Sequence, residues 1–113
     1  MDFDWAREFP GAITVSDEDL VILWMNDRAC RTWEKHGGRN LVGKSLLDCH
    51  PEPARTRLRE LARAHASNAY TIEKAGLRKL IYQAPWYRAG AFAGMVEFSL
   101  EIPAAMPHYV RKP

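Results

Sequence analysis

With 113 residues and 16 Lys and Arg set against 14 Asp and Glu, the chain is sized for one domain, and its net charge of +2 excludes the strong basic excess of a nucleic-acid-binding face. Apolar residues make up 47% of the sequence, enough for a packed core, which excludes an intrinsically disordered chain. Cys30 and Cys49 are too few for a disulfide-framed secreted domain. The N-terminus has no basic and apolar leader pattern, and no apolar run approaches the roughly 20 residues that cross a bilayer. These readings describe a soluble protein of a reducing compartment, expected to be a bacterial cytoplasm.

Residues 2–9 form a short amphipathic opening with Phe3, Trp5, Ala6 and Phe9, ended by Pro10-Gly11. Ile13 and Val15 alternate with Thr14 and Ser16 and predict a half-buried strand. Asp17-Glu18-Asp19 is a polar turn and residues 20–25 are a second apolar run, so a hairpin is expected. Asn26 suits a helix N-cap, because its side-chain oxygen accepts from a free backbone N–H, and Asp27 sits well near the positive end of the helix dipole. Ala29, Cys30 and Trp33 share one face of this helix, which His36-Gly37-Gly38 closes.

Residues 40–50 are irregular, with helical turns at Leu41-Val42 and Leu46-Leu47. Pro51 and Pro53 fit only the first turn of a following helix, along which Ala54, Leu58, Leu61, Ala62 and His65 form one face. Three strands follow over residues 70–74, 78–87 and 92–102, turned by Ala75-Gly76 and Arg88-Ala89-Gly90. The tail beyond Pro103 reads as an exit linker or a poorly ordered end. The fold class is therefore α+β: a five-stranded antiparallel sheet with helices inserted between strands 2 and 3, covering one face and leaving a cavity beneath them. The organisation is an N-terminal cap segment over 1–9, the domain over 10–103 and a tail over 104–113.

This order of elements resembles the PAS domain. Ile13-Thr14-Val15-Ser16-Asp17-Glu18-Asp19-Leu20 looks like the first PAS hairpin, and Ile22-Leu23-Trp24-Met25-Asn26-Asp27-Arg28-Ala29 like its second strand running into an Asn-capped helix. Leu41-Val42-Gly43-Lys44-Ser45 is similar to the family's "I-G-K-S" step, and Asp48-Cys49-His50-Pro51-Glu52 to the step before its long helix. Gly94 to Glu97 resembles the last strand, and Glu101-Ile102-Pro103 stands where the family has Asp-Ile-Thr. The resemblance covers about residues 10–103. It implies a sensory or interaction module for signal transduction that binds a small molecule between sheet and helices and dimerises through its N-terminal segment or sheet face. Family ligands include haem, flavins and small acids, and the resemblance does not choose among them.

The residues assigned to the cavity are His65, Asn26, Trp33, Leu61, Tyr82 and Glu97. His65 extends the apolar stripe of the long helix, where its imidazole would ligate haem iron or bind a carboxylate; its other reading is a half-exposed helix-end histidine. Asn26 is a cap that borders the cavity. Gln83 and Glu97 are polar positions in apolar strands, ligand contacts if they point inward and ordinary surface if outward. In the fourth strand either Leu80, Tyr82 and Ala84 or Ile81 and Gln83 line the cavity. Asp48 and His50 read as caps of the long helix rather than metal ligands or an acid–base pair. Cys30 reads as a small core residue.

Four functions compete. The first is a non-enzymatic sensor of a small ligand or a protein partner, which the motif order favours. The second is a haem-dependent gas or redox sensor on the same fold, resting on His65 and less on His50. The third is a small α+β barrel enzyme, which would need Asp48 and His50 as acid and base. The fourth is a dimerisation module with a filled core. The expected partners are a small molecule, a second copy of the chain and a signalling protein, with neither nucleic acid nor membrane; the cofactor is unassigned, with haem as the one considered.

Overall fold

The β-branched and aromatic stretches become strands because a pleated surface accommodates them and because each finds a partner edge. A computed structural model describes residues 4–113. Its strands are β1 (Ala12–Ser16), β2 (Ile22–Met25), β3 (Asn68–Lys74), β4 (Leu77–Arg88) and β5 (Ala91–Ile102), with α1 (Asp27–Thr32) and α2 (Ala54–Ala64) between β2 and β3. The five strands form one sheet in the order β2-β1-β5-β4-β3, every neighbouring pair antiparallel. The expected α+β arrangement is the observed one. Phe3, part of the expected amphipathic opening, lies outside the described residues.

The hairpin turns come from local chemistry. Ala75 and Gly76 have φ of 53° and 77°, and Ala89 and Gly90 have 49° and 82°, the consecutive left-handed pair whose twist matches antiparallel strands. The first helix departs from expectation. It ends at Thr32, six residues long, and the chain then runs through a tight turn over Glu34–His36 into Gly37 at φ 121°. The Thr32 hydroxyl donates to the Arg28 carbonyl at 2.9 Å, a back-bond that competes with continued helix.

Leu58, Leu61 and Ala62 of α2 are buried and pack with Leu20, Ile22, Met25, Ala29, Leu41, Leu46 and Met95. The core therefore lies between the helices and the β2-β1-β5 side of the sheet. His65 does not extend that buried stripe. It is the helix's left-handed C-terminal residue, φ 52°, and it is exposed; the helix closes around it with the Ala66 N–H donating to the Leu61 carbonyl at 3.0 Å.

The alternation of β1 also resolves. Thr14 pairs with Glu97 and Ala12 with Ser99 on the helix side, so Ile13 and Val15 face the opposite, outer side. There the outer face continues through Val96, Phe98 and Leu100 on β5 and Leu80, Tyr82 and Ala84 on β4. At the end of β1 the sheet closes tightly. Ser16 is fully buried, its hydroxyl bonds both the N–H and the carbonyl of Met95 at 3.3 Å, and its carbonyl accepts from the Trp86 indole at 2.8 Å. Gly94 sits against this point with φ 152°, and a Cβ there would overlap the Ser16 carbonyl oxygen. Gly94→Ala is expected to destabilise the domain by at least about 3 kcal/mol, read as a fall in the urea midpoint; an unchanged midpoint would disprove the close approach.

Candidate functional site

Beneath the helices the inner sheet face carries a polar stripe. Gln83 on β4 and Glu97 on β5 are cross-strand partners, and inward alternation sets them side by side with Thr14 of β1, which pairs with Glu97 on its other edge. The Gln83 side-chain amide donates to Glu97 Oε1 at 3.4 Å, and its own Oε1 accepts from the Asn68 side chain at 3.3 Å. Gln83 and Thr14 are buried. Glu97 keeps partial solvent access as a residue, yet protein surrounds its carboxyl almost completely; the surroundings of the carboxyl govern its proton.

Two cavities meet at Glu97. One, of about 10 Å³, is lined by Thr14, Ile22, Met25, Trp33, Leu41, Leu46, Cys49, His50 and Glu97, at the threshold of about 10–15 Å³ for a single water. The other, of about 100 Å³, is lined by Ala12, Thr14, Thr32, Trp33, Ile72, Lys74, Lys79, Ile81, Glu97 and Ser99. Thr14, Trp33 and Glu97 belong to both, so the two spaces adjoin at these three side chains. Trp33 holds this place as the C-terminal cap of α1, its N–H bonded to the Ala29 carbonyl at 3.1 Å, with its ring edge-on to His36 at 5.6 Å.

Burial pushes the Glu97 carboxyl above the usual carboxylate range, and the nearby His50 imidazole and the Gln83 amide pull it back in part. Burial also raises the Cys49 thiol, reinforced by the negative charges of Asp48 and Glu97, and raises the Tyr70 phenol, again with Glu97 contributing. The Cys49 thiol and the Tyr70 phenol are thus held protonated beside a carboxyl whose charged form burial also disfavours. His50 contributes through Nδ1, which lies 2.8 Å from the Leu46 carbonyl; that bond requires the proton on Nδ1 and leaves Nε2 as the second polar position of the ring. His50 therefore closes the turn before it, whereas α2 is begun by Glu52, whose carboxylate accepts from the Thr56 N–H at 2.7 Å. The expectation that Asp48 or His50 caps α2 is corrected: Pro51 and Pro53 set the intervening backbone, and Glu52 is the acceptor within reach.

The six residues assigned from sequence divide. Trp33 and Glu97 line the cavities. Leu61 is fully buried in the core beside them and lines neither. Asn26 is fully buried with all four amide positions engaged: Oδ1 accepts from the Ile13 and Ala29 N–H groups at 3.0 and 2.9 Å, and Nδ2 donates to the Ala6 and Gly11 carbonyls at 3.0 and 2.8 Å. It has no capacity left for a ligand. Tyr82 is exposed on the outer face beside Phe98, because β4 turns Ile81 and Gln83 inward. His65 stacks flat on Phe92 at 3.9 Å in an open surface groove. Haem does not fit these two cavities: His65 lines neither of them, and at about 10 and 100 Å³ both are far smaller than a macrocycle. Sequence reasoning missed Thr14, Lys74 and Lys79 at the cavity, and only the strand register exposes them.

Residues 7–89 match the family model described as the PAS fold. The chain belongs to the PAS-fold family. Solved PAS-like structures superpose on most of it: a sensory box sensor histidine kinase from Vibrio cholerae at 17% identity and a TM-score of 0.61, covering 85% of each chain, and the Aer2 receptor of the same organism, a dual PAS-heme oxygen sensor, at 16% and 0.61, covering 82% of this chain and 95% of that one. The structure of VqmA bound to DPO matches at 15% identity and 0.61, over 87% of this chain and 55% of VqmA. No curated protein matches in sequence. As a PAS-fold chain it is a sensory domain, and none of its described helices is long and apolar enough to cross a membrane.

A buried carboxyl with a raised affinity for its proton makes stability depend on pH. The unfolded carboxyl titrates near about 4.3, and the folded one holds its proton to higher pH, so stability is full below the unfolded value and falls as pH rises through the folded one. Glu97→Gln is expected to raise the melting temperature near neutral pH, with the gain shrinking as the solution is acidified below the usual carboxylate range. A gain independent of pH would show that Glu97 titrates as an ordinary surface group.

Proposed function

We propose that this PAS domain is a cytoplasmic sensor that binds a small molecule in the paired cavities around Trp33 and Glu97, and that it works as a homodimer coupled to a signalling partner. What carries the reading is the shared lining: Thr14, Trp33 and Glu97 border both spaces, so the two adjoin beneath the helices. The solved structure of VqmA with DPO and the heme of Aer2 lend general support, since both name a bound small molecule on this architecture. The heme precedent does not extend to this chain, whose small cavities and histidine placement do not suit it.

The domain acts without chemistry of its own. The thiol at the cavity is held protonated by burial, so no activated nucleophile is offered there. Dimerisation is assigned to the outer sheet face, where Val15, Trp24, Leu80, Tyr82, Val96, Phe98 and Leu100 leave an apolar surface only half covered. A second copy fits it because an identical apolar face is self-complementary about a two-fold axis.

Native mass spectrometry of gently purified protein tests the ligand. A non-covalent adduct is expected on the wild type and is expected to disappear in Ser99→Leu, which fills the larger cavity. A bare mass, together with a melting temperature unmoved by metabolite extract, would overturn the reading. Phe98→Lys is expected to convert a dimer into a folded monomer by light scattering; a monomeric wild type would remove the dimer from the proposal.

A further inference from the structure

The larger cavity has a carboxyl at one end and lysine amino groups at the other. At the inner end stands the Glu97 carboxyl, whose Oε1 is engaged by Gln83 and whose Oε2 accepts no hydrogen bond among the described residues. Toward the β3–β4 hairpin the lining includes Lys74 and Lys79, and neither forms an ion pair among the described residues. Between them the wall is Ile72, Ile81 and the Trp33 ring, with Ser99 as the one hydroxyl on that stretch of β5. The strand register sets the spacing. Glu97 is opposite Gln83, and Lys79 is four residues further along the same strand, about 13 Å at a rise of about 3.3 Å per residue. The flexible lysine stems shorten that gap toward the cavity centre.

Resting on the small-ligand reading above, we infer that the cavity takes a short linear zwitterion, an ω-amino acid, with its ammonium group against Glu97 and its carboxylate at Lys74 and Lys79. The apolar middle matches a methylene spacer, and the volume of about 100 Å³ admits a molecule of that size and excludes a fused-ring cofactor. Each end group finds a partner that the fold leaves unpaired, and a charge-assisted hydrogen bond is the strong kind. A molecule with only one charge satisfies one end and leaves the other facing apolar wall. An α-amino acid carries both charges on neighbouring carbons and cannot span the two ends.

The test is titration of the full chain, followed by amide NMR, with γ-aminobutyrate and δ-aminovalerate against their singly charged counterparts, butylamine and butyrate. The expected result is perturbation of the Trp33, Lys79 and Glu97 amides by the zwitterions, with affinity about tenfold above either counterpart. Lys79→Met is expected to reduce the zwitterion to the affinity of butylamine, and Glu97→Gln to that of butyrate, while dispersed spectra confirm that both variants fold. A counterpart that binds at these residues as tightly as the zwitterion overturns recognition of both charges and leaves the small-ligand reading standing. Probes that leave these amides unmoved also overturn it, and the native mass spectrum then decides the wider reading by itself.

Discussion

Four backbone groups from three separate stretches of chain converge on one buried side-chain amide, that of Asn26. Its oxygen serves the Ala29 N–H in the first turn of α1 and the N–H of Ile13 on β1, and its nitrogen serves the Ala6 and Gly11 carbonyls of the entering segment. The backbone adds to this, with the Asn26 N–H donating to the Ile13 carbonyl and the Asp27 N–H to that of Arg7. An amide offers two donors and two acceptor sites, and here all are used, so no part can move without orphaning a buried partner. The direction of α1 follows from this junction, and α1 in turn carries Trp33 to its place over the sheet.

The cavity is the opposite kind of arrangement. Gln83, Glu97 and Thr14 make a polar stripe on a wall that packing alone would fill with aliphatic side chains. Gln83 is satisfied on both sides by Asn68 and Glu97, but the contacts are long and Glu97 keeps spare capacity. Desolvating a carboxyl without full compensation is costly, and the cost is met partly by the proton that burial favours and partly by His50. Stability therefore rests on the Asn26 junction and the apolar core of α2, while the stripe is tolerated against it, as expected where a fold gives up local stability to hold a site.

Successive residues of β5 serve different faces. Glu97 points to the cavity and Phe98 to the outer sheet surface, with Val96 and Ser99 repeating the alternation. The central position of β5, between β1 and β4, means that one strand forms the floor of the cavity and the middle of the outer apolar face. The tight closure at Ser16, Gly94 and Trp86 anchors one end of that strand.

Much of this was legible in the chain itself. Turn residues at Ala75-Gly76 and Ala89-Gly90, the Asn26 cap and the periodicity of Leu58, Leu61 and Ala62 are local signals, decided by backbone conformation and side-chain spacing within a few residues, and they suffice to order five strands and two helices. Period-two alternation also marked Gln83 and Glu97 as anomalous. Alternation does not say which set faces the helices, since that depends on strand register across residues far apart in sequence. Only the pairing of Thr14 with Glu97 and of Gln83 with Glu97 turned Tyr82 outward and brought Lys79 and Lys74 to the cavity. His65 was misplaced for a related reason: the helical repeat runs on in sequence, but the chain leaves the helix at that residue in a left-handed turn. Local chemistry determined the elements of this domain, and tertiary pairing alone decided the composition of its site.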